Sequence, residues 1–170
     1  MEDIIKKVRT ELQLSADEKT KLSSQHFFKE TIKAYGIKTA IVDRIAKENF
    51  KFLKEQSKAE IFNLCDILWQ SSYIEESFIA CNWTYAMRKQ FEPNDFDRFS
   101  RWISSHVNNW TSCYTFCNNS MEEFKKMHPT YLSELKNFAG SDNRWMRRAA
   151  AVSLILPARK GKFIQDILEI

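Results

Sequence analysis

Leu68, Ile103 and Phe138 stand 35 and 35 residues apart, and Ile74, Trp110 and Trp145 trail them at spacings of 36 and 35. A polar break separates the members of each pair: Ser71–Ser72, Ser104–Ser105 and Gly140–Ser141. Apolar residues recur at helical spacing on both sides of each break, which predicts second helices over residues 74–91, 110–124 and 145–156. A helix-break-helix unit repeated at this period cannot cover its own apolar face and must stack on its neighbours. The expected fold is therefore an all-α solenoid with a concave side, and a plain helical bundle is the alternative.

The rest of the chain agrees with a helical class. It holds only three Gly and three Pro in 170 residues, too few for a loop-rich or β-sandwich architecture. Ile4, Ile5, Val8 and Leu12 form a helical stripe ending near 13–15. A second helix is predicted over residues 27–35, stopped by Gly36, a third from Thr39 and a fourth after Ser57. No alternating segment of useful length predicts a strand. The pattern ends at Ile170 inside a helical stretch over residues 163–170, half a repeat. The expectation is one domain, residues 1–170, either truncated at its C-terminus or capped by that last helix alone.

Charge is unevenly spread. The formal net charge is +4, yet residues 143–163 alone carry Arg144, Arg147, Arg148, Arg159, Lys160 and Lys162 with no acid, so the remainder is mildly acidic. One basic stripe on an acidic body points to a polyanion partner rather than to a uniformly solvated surface. Residues 1–13 are charged and lack the apolar core of a secretory signal, and no stretch is apolar enough to span a membrane. A cytoplasmic location is expected, with Cys65, Cys81, Cys113 and Cys117 as reduced, buried thiols. No HExxH, GxSxG, P-loop or GxGxxG motif occurs, which removes support for metalloprotease, serine-hydrolase and nucleotide-binding readings.

Four stretches together carry a family resemblance: YGIKT at 35–39, IFNLCDILWQSSYIEESFIA at 61–80, NNWTSCYTFC at 108–117 and SDNRWMRRAAAVSLILPARKG at 141–161. The chain resembles the AlkD-like family of DNA alkylation repair proteins, built from HEAT-like repeats. The resemblance implies an α-solenoid whose basic concave groove holds double-stranded DNA, alkylated or distorted. It also implies excision of N3- and N7-alkylated purines by N-glycosidic bond hydrolysis, with no metal or organic cofactor. A monomer is implied, associated with the nucleoid if the source is bacterial.

That chemistry starts from a purine that already carries positive charge and leaves readily, so the site must stabilise an oxocarbenium ion on the sugar and place a water. By resemblance, Trp110 is the sugar-facing aromatic and Arg148 holds backbone phosphate, while Trp145 packs between repeats. Lys38, Arg147, Arg148, Arg159, Lys160 and Lys162 are the expected DNA-binding set. Active members carry an Asp one turn after the first Trp. Here that position is Tyr114, and no acid lies in residues 110–119. A phenol with a pKa near 10 is neutral at pH 7 and cannot replace a carboxylate. Glu75 and Glu76, on a preceding repeat, are not expected to reach the groove, and Phe27 and Phe28 stand where the family can carry Tyr. The catalytic set is thus Trp110, Tyr114 and Arg148, and the alternative is a DNA-binding relative that no longer cuts.

Overall fold

The computed structural model describes residues 2–168, apart from the side chains of Glu2 and Asp166, so the last two residues of the expected terminal helix lie outside it. Among the described residues the regular elements are helices, with one isolated parallel bridge, Lys33 to Tyr73, and no strand. It packs as two compact units, residues 1–87 and 88–170.

In the first unit, α1 (Glu2–Leu14) buries Ile5, Val8 and Leu12, the predicted stripe. α2 (Glu18–Phe27) is capped by Asp17, whose carboxylate accepts the Thr20 N–H at 2.7 Å. α3 (Thr39–Phe50) buries Val42, Ile45, Ala46 and Asn49. α4 (Lys58–Gln70) opens with a reciprocal cap between Ser57 and Glu60, and α5 (Ile74–Ala86) returns along it after a left-handed Ser72, φ 63°. Trp83 of α5, fully buried, donates its indole N–H to the Ala46 carbonyl at 3.0 Å and locks α5 to α3.

The predicted helix over residues 27–35 does not form. The helix lies earlier, in α2, and residues 28–38 are extended. Ile32 and Ala34 alternate into a small core with Ile74, Phe28 and Phe78. Gly36 sits at φ +86°, where a Cβ would come within 2.5 Å of the Asp17 carbonyl, so only glycine fits. Glu75 takes the backbone N–H groups at the end of this segment. Its carboxylate accepts from Tyr35 at 3.0 Å, Gly36 at 2.9 Å and Ile37 at 3.2 Å.

The second unit is built around aromatic rings. α6 (Asp95–Ser105) buries Phe96, Phe99, Trp102 and Ile103. α7 (Trp110–Phe116) runs through a π turn at Cys117–Met121 into α8 (Glu122–Met127). Phe99, Phe116 and Phe124 are fully buried, and Phe99 meets the other two edge-on at 5.4 and 5.8 Å. Burying each such ring stabilises the fold by roughly 2–3 kcal/mol. α9 (Leu132–Ala139) and α10 (Arg144–Arg159) form the last pair, and α11 (Ile164–Leu168) follows. Leu68, Ile103 and Phe138 thus close α4, α6 and α9, while Ile74, Trp110 and Trp145 open α5, α7 and α10. The 35-residue spacing marks real helix-break-helix units. All four cysteines are buried free thiols.

Candidate nucleic-acid interface

α7 begins at Trp110 because Asn109, itself buried, caps it. The Asn109 side-chain oxygen accepts the Ser112 N–H at 2.9 Å, and its amide nitrogen donates to Ser112 Oγ at 2.9 Å. This fixes the rotation of α7. Ser112, Cys113 and Phe116 turn inward. Trp110 and Tyr114, one turn apart, lie on the other side, Trp110 half-buried and Tyr114 44% exposed. The phenol stands at the surface.

α10 is anchored at its start by Asn143, whose side-chain oxygen accepts the Trp145 N–H and whose amide donates to the Ser104 carbonyl, both at 2.8 Å. The second bond ties the N-terminus of α10 to the end of α6. The Arg144 guanidinium lies 4.4 Å from the centroid of the half-buried Trp145 ring. Arg147 donates to the Ser141 carbonyl at 2.6 Å. The Cys113 thiol of α7 lies 3.9 Å from the Trp145 carbonyl. That thiol is held below its ordinary pKa by a hydrogen bond with Cys117 and also by the charge of Arg148, against the effect of burial. α10 packs against α7, close enough for the Arg148 charge to reach Cys113.

The exposed face of α10 carries Arg144, Arg147, Arg148, Ala151, Ile155 and Arg159. Arg148 and Arg159 share an azimuth, since eleven residues make three turns, and their Cα atoms lie about 16 Å apart along the axis. Lys160 and Lys162 leave this line. Lys160 Nζ comes within 3.9 Å of Glu122, and both lysines line a cavity against α8. Lys38 belongs to the first unit. It is exposed at the start of α3 and borders an open cleft of about 650 Å³ together with Lys19, Phe27 and Phe28. Glu75 and Glu76 are 3% and 1% exposed. Glu75 holds the extended segment, and Glu76 binds Arg9 at 3.0 Å and the Tyr35 hydroxyl at 2.8 Å. Burial, reinforced by that carboxylate, pushes the Tyr35 phenol far above its ordinary pKa.

Sequence reasoning passed over Arg144 as a site residue, although it lies in the same basic stretch. It also did not single out Glu122, Lys125 or Lys126. No group of three or more His, Cys, Asp or Glu side chains among the described residues is placed to hold a metal ion, and no helix among them is long and apolar enough to cross a membrane.

The family model described as DNA alkylation repair enzyme matches residues 8–170. Among solved structures, the chain is similar to a "Predicted DNA alkylation repair enzyme from Enterococcus faecalis". The TM-score is 0.77 at 19% identity, covering 91% of this chain and 71% of that one. No curated protein matches.

Proposed function

We propose, from the premise that the chain belongs to the DNA alkylation repair enzyme family, that it binds duplex DNA along the exposed face of α10 and releases N3- or N7-alkylated purines from it. The observation that carries this reading is the acid-free row Arg144, Arg147, Arg148 and Arg159, set beside the α7 turn that exposes Tyr114. Guanidinium groups on one helix face suit phosphate oxygens, which position a duplex without reading its sequence. An alkylated purine is cationic, so the bond to the sugar breaks once the resulting oxocarbenium ion is sheltered. The negative ring faces of Trp110 and Tyr114 offer that shelter, and Arg148 fixes the neighbouring phosphate.

A second reading, DNA binding without excision, is favoured by Tyr114 itself. A neutral phenol gives no full charge to the cation, and losing one electrostatic stabiliser costs on the order of 3 kcal/mol, or 10² to 10³ in rate. Single-turnover release of 7-methylguanine and 3-methyladenine from methylated duplex DNA separates the two readings. Excision predicts release above the spontaneous rate, lost in Arg148→Ala. The binding-only reading predicts a silent wild type that still holds DNA, and Tyr114→Asp then gains activity by about 10²-fold.

A further inference from the structure

Between α8 and the end of α10 lies a cavity of about 240 Å³. Lys125 and Lys126 line it from α8, Lys160 and Lys162 from the turn after α10, and Glu122 is the single acid among its described lining residues. Glu122 is held by Lys126 at 3.2 Å and Lys160 at 3.9 Å, while Lys126 also pairs with Glu123 at 2.7 Å. Among the described residues, four lysines and one carboxylate line the cavity, so a cationic excess remains there.

Lys125 is there for a reason the helix supplies. Pro157 has no N–H, so the Ser153 carbonyl four residues earlier loses its helical partner. Lys125, only 3% exposed, donates its ammonium to that carbonyl. The bond fixes the side chain at the cavity wall, with Pro157 and Phe163 supplying apolar sides. The turn that brings in Lys162 is held in an uncommon shape, with Gly161 at φ +66° and Phe163 at φ +58°. A bulky residue in the left-handed region persists only where its surroundings impose it. The turn folds back through a bond from the Lys162 N–H to the Pro157 carbonyl at 3.0 Å.

We propose that this cavity binds one phosphate group, and that its source is the terminal phosphate of a DNA strand. A cavity of this size admits a tetrahedral anion but no base pair. Its concavity suits a phosphate that projects from a strand end better than one embedded in a smooth backbone. Converging ammonium groups suit the extra charge of a monoester over a diester. The strand-end assignment rests on the proposed DNA-binding function, whereas the anion chemistry of the cavity does not.

The test uses the full chain, with Lys162→Ala and Arg148→Ala beside it. Lys125 is left intact because it serves the fold. Amide shifts are followed on titration with inorganic phosphate, and nicked duplexes with and without a terminal phosphate are compared by fluorescence anisotropy. Phosphate is expected to shift amides of residues 122–126 and 157–163, about tenfold more weakly in Lys162→Ala. The phosphorylated nick is expected to bind about tenfold more tightly than the hydroxyl one in wild type, a preference that Lys162→Ala erases and Arg148→Ala retains. Localised phosphate shifts without strand-end preference overturn the DNA source and leave a free-phosphate site. Absence of both overturns the proposal, even where intact duplex still binds. Localised phosphate shifts with no duplex binding at all overturn the proposed function and spare the cavity.

Discussion

Lys125 is a charge that the fold holds nearly out of water. Burial pushes its pKa down to about 8, against the supporting charges of Cys117 and Glu122. In the unfolded chain a lysine titrates near 10.4. Between these values the unfolded state binds more protons than the folded one, so stability rises with pH through that window. Urea unfolding is expected to show a gain of about 1.5 kcal/mol from pH 8 to 9.5 that is absent in Lys125→Met. Cys113 acts in the same direction and Tyr35 in the opposite one only above pH 10, so the difference between wild type and variant isolates the lysine. An identical slope in both proteins would mean that Lys125 titrates normally. Nothing in the run EEFKKM distinguishes Lys125 from its exposed neighbour Lys126, because the cause lies in Pro157, 32 residues away. Tyr114 is the contrary case. Its place on the Trp110 face follows from i, i+4 spacing alone, while its departure from a carboxylate is read from the family resemblance.

At the scale of elements, Pro157 and Lys125 form one device. The proline opens the carbonyl ladder near the end of α10, and the lysine closes it from α8. Lys125→Met alone should cost about 1–3 kcal/mol by leaving a buried carbonyl unpaired. Pro157→Ala restores a backbone N–H within reach of Ser153, so in that background the same lysine change should cost about 1 kcal/mol less. A double-mutant cycle from denaturant midpoints measures the coupling, and additive costs would sever the two residues. Helix pairs of this kind were legible because their breaks and their apolar positions keep a fixed period. The segment 28–38 was not. Its apolar residues Ile32, Ala34 and Ile37 fit a short helix as well as an extended strand, and a run this short cannot decide between them. What decides is Glu75, nearly forty residues away, whose single carboxylate satisfies three successive backbone N–H groups.

For the whole molecule, the balance of charge sets the partner before any site does. A net charge of +4 is modest, and it is the segregation of cations onto α10 and its following turn that favours a polyanion. Binding through phosphates releases counterions, so log K should fall linearly with log salt, with a slope of about −0.9 per neutralised phosphate. Arg144, Arg147, Arg148 and Arg159 in the second unit predict a slope near −3.6, and Lys38 in the first unit extends it to about −4.5 if it touches the same duplex. Anisotropy titrations of an undamaged 20-base-pair duplex across a range of salt concentrations would read both. A slope that drops by about one in Lys38→Ala places both units on the DNA. A slope unchanged by Lys38→Ala but reduced in Arg159→Ala confines the contact to the second unit. A duplex that fails to bind even at low salt would leave the basic face of α10 for an acidic protein partner.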